Sequence, residues 1–155
     1  MAVYKYVLHH RDNEIPKWFL EALGVWVSQL NHCGYCVEHH FAGMKRLMRD
    51  DARADNLRAA MENSDIAAMP LDDAQKAAMV YARTLTQAPG NMVGADVIAL
   101  RDAGWEDGMI LEINQVCSYF CYANRTVLGL GCSTKGDDIG LSPGNNDDPD
   151  DWNHS

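Results

Sequence analysis

The sequence predicts an all-α protein. Apolar residues recur at three- and four-residue spacing along most of the chain, no segment sustains a two-residue alternation, and the paired turn signals of β-hairpins are absent. With 155 residues, 47% of them hydrophobic, the chain can bury one sizeable core. One helical domain over residues 1–136 is therefore expected. A disordered acidic tail, polar and rich in Gly, Pro, Asn and Asp, is expected over residues 137–155.

The elements follow in order. His9 and His10 read as members of an exposed turn. Phe19, Leu23, Trp26 and Leu30 mark the apolar face of a first helix beginning near Pro16. Asn31-His32 breaks the pattern, with Asn31 suited to cap a second helix that carries the stripe Val37, Phe41, Met44 and Met48. A shorter helix spans Ala52 to Met61. After Met69-Pro70-Leu71, Asp72 or Asp73 can cap a helix from Ala74 to Leu85, which Ala88-Pro89-Gly90 ends. A further short helix runs from Ala95 to Ala103 and stops at Gly104, a residue suited to the left-handed C-terminal position. The last and longest runs from Asp107 to Leu128, before the glycine turn at 129–131.

Charge and cysteine usage narrow the function. Of the net charge of −9, six acidic residues (Asp137, Asp138, Asp147, Asp148, Asp150 and Asp151) lie in the tail, which leaves about −3 for the rest. Neither part offers a basic stripe for nucleic acid or an anionic membrane. No apolar run reaches the length of a membrane span, and the first residues lack the pattern of a secretory signal, so a cytoplasmic location is expected. Five cysteines, an odd number in a chain large enough to fold without staples, do not read as a disulfide framework. Under reducing conditions a close Cys-x2-Cys pair points to catalysis or to metal.

That pair is Cys33-Gly34-Tyr35-Cys36, with His40 four residues after the second thiol and Glu21 twelve before the first. Two thiols one helical turn apart can close into a disulfide and reopen, storing two electrons. In the first turn of a helix, unsatisfied backbone N–H groups and the positive end of the dipole favour a thiolate. His40, at i+4 from Cys36, would share its helix face and could take its proton. In one straight helix Glu21 would lie about 18 Å from Cys33, so it takes part only if the chain reverses near Asn31-His32. Given that reversal, Glu21 can hold His40 or a bridging water. The chemistry these residues suit is attack of a Cys36 thiolate on a peroxide, leaving a sulfenic acid that Cys33 condenses with to form a disulfide. The reverse order of the two cysteines is left open at this point.

The string Glu-x11-Cys-x2-Cys-x3-His resembles the active-site signature of the alkylhydroperoxidase D-like family, within the carboxymuconolactone decarboxylase-like superfamily. The stretch TLTQAPGNMVGADVIALRDAGWEDGMILEINQVCSYFCYANRTVLGLG is similar to the C-terminal helices of an uncharacterised peroxidase-related branch. The likeness runs from about Trp18 to Gly131. It implies an AhpD-like helical fold, association of copies as trimers or hexamers, a peroxidatic Cys36, a resolving Cys33, and a proton relay of Glu21 and His40. It further implies a peroxide substrate, an external dithiol reductant, and no metal or organic cofactor. In one respect the chain departs from the pattern. Well-studied members carry histidine just before the second cysteine, where this chain has Tyr35, and a phenol with a pKa near ~10 cannot replace imidazole as a base at neutral pH.

Other readings stand beside this one. The dithiol could serve disulfide exchange or electron relay without meeting peroxide. Cys33, Cys36, His39 and His40 supply enough ligand types for structural zinc, although three of them on one helix do not easily converge tetrahedrally. Cys117 and Cys121, also at i and i+4, read as small residues packed among apolar neighbours. His32 and His39 read as surface or supporting residues. Arg125 is expected to pin the last helix to an acidic side chain.

Overall fold

The computed structural model describes residues 2–140, which form seven α-helices and no strand. They are α1 (Ala2–Leu8), α2 (Lys17–Leu30), α3 (Gly34–Met48), α4 (Asp51–Glu62), α5 (Asp73–Gln87), α6 (Gly94–Asp102) and α7 (Asp107–Gly129). A 3-10 turn at Pro89–Asn91 joins α5 to α6. The all-α expectation holds, and six of the seven helices lie where periodicity put them. The exception is α1, at residues the sequence left outside any element.

Helix α2 is the axis of the core. It is apolar almost all round, as a helix surrounded by others must be, and α3, α5 and α7 pack against it. Phe19, Leu20, Leu23, Trp26 and Val27 are fully buried, each such side chain contributing about 1.5–3 kcal/mol. Trp26 donates its indole N–H to the Met79 carbonyl at 3.0 Å, so the largest core residue leaves no polar group unpaired. Gly24 lets α7 approach closely, because a Cβ built there would overlap the Phe120 ring. Phe120, itself fully buried, thereby closes the gap between α2 and α7.

Local caps account for several boundaries. Asp50 accepts a hydrogen bond from Arg53 N–H at the start of α4. Asp72 and Gln75 form a reciprocal capping box at the start of α5, with bonds of 2.7 and 3.2 Å. Gly104 ends α6 with φ of 100°, a conformation glycine adopts without strain. Before α2, the Glu112 carboxylate accepts from the backbone N–H groups of Glu14 and Ile15 at 2.9 and 3.1 Å, tying the entry of that helix to α7.

The reversal between α2 and α3 is tighter than expected, and it corrects one cap. Asn31 is the C-cap of α2 and not the N-cap of α3. His32 takes the left-handed conformation at φ 56°, His32 N–H bonds Gln29 O at 3.1 Å, and Cys33 N–H bonds Ser28 O at 2.9 Å. This is a Schellman turn with histidine where glycine is usual. Its last residue, Cys33, is at once the N-cap of α3. The two helices therefore meet end to end with no loop between them and run back along one another.

Of the expected acidic tail, residues 141–155 lie outside the described residues. Residues 137–140 run against α3, where Arg46 donates to the Gly140 carbonyl at 2.6 Å. Among the described residues Arg125 finds its partner within α7. Its guanidinium turns back to the Cys121 carbonyl at 2.8 Å, within its own helix.

Candidate active site

The end-to-end turn lays the two helices that carry the four signature residues against one another. Cys33 caps α3 and Cys36 lies in its first turn, both buried at 0% and 4% exposure and both free thiols. Glu21, in the middle of α2, is wholly buried, and its Oε2 lies 2.8 Å from Nδ1 of His40 on α3. The chain reversal required for Glu21 to reach His40 is thus present, and the two side chains meet directly.

Glu21 has two further partners that the sequence did not single out. Tyr4, on α1, donates its hydroxyl to Oε1 at 2.8 Å. His9, just past the end of α1, places Nε2 3.0 Å from the same oxygen and 2.9 Å from the Tyr4 hydroxyl. Expected in an exposed turn, His9 has a side chain only 12% exposed, drawn inward by the buried carboxylate. His10, beside it, does stay at the surface next to Asp12. Burial alone would raise the pKa of Glu21, but the charge and hydrogen bonds of His40 and then His9 outweigh it and hold the carboxyl at about 2. A buried carboxylate without such partners would be neutralised.

Helix α7 forms the remaining wall. The edge of Phe120 meets the His40 ring at 4.6 Å between centroids. Asn124, fully buried, accepts from Asn31 Nδ2 at 3.0 Å and donates to Ser28 Oγ at 2.9 Å. Burial, and then the hydrogen bond and charge of Cys33, push the Cys36 thiol up to about 12, against a smaller downward pull from Asn124. In the reduced protein Cys36 is therefore a protonated thiol whose proton must be taken as it reacts. Tyr119 stands between the two halves of the site: burial first, and then the charges of Cys36 and Glu21, raise its pKa.

Asn124 had a legible signal. It continues the buried stripe Ile113, Val116, Cys117, Phe120 of α7, and a polar residue on an apolar face needs a partner. Tyr4 and His9 had none, since their partner is seventeen and twelve positions away on another helix.

The other candidates fall apart in space. The Tyr35 and His39 rings meet at a tilt with centroids 4.5 Å apart, and His39 Nε2 sits 3.7 Å from Asp137. His39 and His40 thus face different neighbours, so Cys33, Cys36 and the two histidines do not converge on one point. Among the described residues no group of three or more His, Cys, Asp or Glu side chains could hold a metal ion. Cys117 is buried, its thiol pushed up by that burial and by Cys121. Cys121 accepts a long contact from Asn31 Nδ2 at 3.9 Å. His32 is exposed. No helix among the described residues is long and apolar enough to cross a membrane.

No protein-family model matches the chain, and no curated protein matches it. Solved structures do. An uncharacterized peroxidase-related protein from Silicibacter sp. TM1040 superposes with a TM-score of 0.75 at 27% identity, over 85% of this chain and 66% of that one. An alkylhydroperoxidase AhpD core, an uncharacterized peroxidase-related protein from Ralstonia eutropha JMP134, does so with a TM-score of 0.73 at 23% identity, over 83% and 64%. The chain thus spans slightly less than two thirds of each of those proteins. In fold the chain is AhpD-like, and its likeness is to the peroxidase-related proteins of that group.

Proposed function

We propose that the protein is a two-cysteine peroxidase that reduces hydrogen peroxide or organic hydroperoxides. The observation that carries this reading is the 2.8 Å contact between buried Glu21 and His40, on the helix that opens with the Cys33–Cys36 pair. A protonated Cys36 needs a local base, and an imidazole held by a buried carboxylate is one. The Cys36 sulfur attacks the terminal peroxide oxygen as its proton leaves through a bridging water to His40. The O–O bond breaks, the alkoxide or hydroxide takes a proton to leave as alcohol or water, and Cys36 becomes a sulfenic acid. The Cys33 thiol then displaces water from it, and a Cys33–Cys36 disulfide remains. An external dithiol returns it to the reduced state by exchange. Further copies of the chain are the remaining partners of this reading.

A second reading is favoured by Tyr35. With no histidine before Cys36, and the Tyr35 ring set against His39, the pair would serve disulfide exchange alone. Stopped-flow loss of thiols with hydrogen peroxide and an organic hydroperoxide separates the two. The peroxidase reading expects rapid loss that Cys36→Ser abolishes, with a Cys33–Cys36 disulfide in the peptide map. Loss no faster than in Cys36→Ser, beside rapid exchange with small dithiols, would transfer the assignment to the exchange reading.

A further inference from the structure

Glu21 is contacted by two histidines from opposite sides. His40, from α3, holds Oε2 at 2.8 Å, while His9, from the turn after α1, holds Oε1 at 3.0 Å. Both imidazoles draw on one negative charge in a site that excludes water from the carboxylate entirely. We propose that His9, braced by Tyr4, is a positioning residue that competes with His40 for the charge of Glu21, so that a proton on His9 weakens the hold of His40 on its own. Its effect on turnover rests on the dithiol cycle proposed for Cys33 and Cys36.

The geometry supports competition over simple bracing. Tyr4 alone would suffice to orient Oε1, since its hydroxyl donates at 2.8 Å. His9 adds a group that can carry charge, and it is 12% exposed, so it exchanges protons with solvent more readily than the buried carboxylate does. The other titratable groups beside Glu21 and His40 are Tyr4 from α1, Tyr119 from α7 and, four residues before His40 on α3, Cys36; burial raises both Tyr119 and Cys36 above their ordinary alkaline values. Lys5, Tyr6, His10, Arg11 and Asp12 are the other titratable groups of α1 and its turn, and His10 and Arg11 both lie beside Asp12. His9 and His40 are the two imidazoles in contact with this carboxylate, and imidazole is the side chain whose ordinary pKa falls between mildly acidic and neutral pH.

The size of the effect follows from the two contact lengths. Legs of 3.0 and 2.8 Å on either oxygen of one carboxylate put the ring nitrogens roughly 6 Å apart. Two cations at that separation shift each other by about 0.5 to 2 pH units for effective dielectrics between ~80 and ~20. The test is a heteronuclear NMR titration of the histidine side chains in the full chain, run on the wild type and on His9→Gln, whose amide keeps an N–H donor and loses the charge. In the wild type the His40 curve should carry a second inflection at the His9 midpoint, and the reverse. In His9→Gln the His40 midpoint should rise by about 0.5 to 2 pH units, and the acid limb of peroxide-driven thiol loss should move with it. Independent single-proton curves in the wild type overturn the proposal, whether or not the variant folds. An unmoved His40 midpoint in a folded His9→Gln protein does the same. Coupled histidine curves without any peroxide-driven thiol loss would leave the competition standing and remove the peroxidase reading, while uncoupled curves with brisk thiol loss would do the opposite.

Discussion

Replacing Glu21 by Gln tests the centre of the site with little change in shape. Glu21 is wholly buried and receives Tyr4, His9 and His40. The amide offers one acceptor oxygen where the carboxylate had two, and turns an N–H2 toward one set of donors. The loss can be worked from the pKa. The Glu21 carboxyl is held at about 2 in the fold against an ordinary 4.5, and that gap corresponds to about 3 kcal/mol of folding stability at ~1.4 kcal/mol per pH unit. Because the folded pKa is the lower one, the contribution is complete above 4.5 and vanishes as pH falls through 2. Urea unfolding of wild type and Glu21→Gln at a series of pH values reads this directly. The variant should be less stable by about 3 kcal/mol near pH 6, and the two curves should converge only below pH 2, where both side chains are neutral. A stability difference that stays constant across that range would refute the picture of a charged carboxylate held by its histidines.

Two more outcomes are expected. Gly24→Ala would drive a methyl group into the Phe120 ring and cost about 1–3 kcal/mol by thermal unfolding, with loss of His40 ordering as Phe120 is displaced. Thiol alkylation followed by mass spectrometry should proceed in a fixed order: exposed Cys132 first, half-buried Cys121 next, and buried Cys33, Cys36 and Cys117 slowest, by at least about tenfold between first and last. Early labelling of Cys117 would contradict its complete burial.

The sequence made most of the helices legible because a helix converts residue spacing into position by a fixed rule. The stripes of α2 and α3 could be read from every third or fourth residue, and so could the face shared by Cys36 and His40. The pairing of Glu21 with His40 needed only one assumption, a reversal near Asn31-His32, and the break in the apolar pattern supplied it. What stayed hidden depended on contacts between distant segments. Helix α1 has seven residues, and its role comes from Tyr4 and His9 reaching a carboxylate on another helix. The cap at the reversal was misassigned because either Asn31 or Cys33 can end a helix there. Only the bonds from Cys33 to Ser28 and from His32 to Gln29 decide between them. Arg125 shows the converse, where an ion pair was the expectation and the guanidinium bonds a carbonyl of its own helix.

The short first helix also bears on how the protein can be handled. None of the four signature residues lies before Arg11, so a shortened or tagged amino terminus would leave the signature untouched. Yet Tyr4 and His9 supply two of the three side chains that hydrogen-bond Glu21 in a dry interior. A shortened form would keep all four signature residues and still place that carboxylate beside a single histidine, open on its other oxygen. Activity measured on such a form would describe a differently tuned protein, although nothing in its signature would reveal the change.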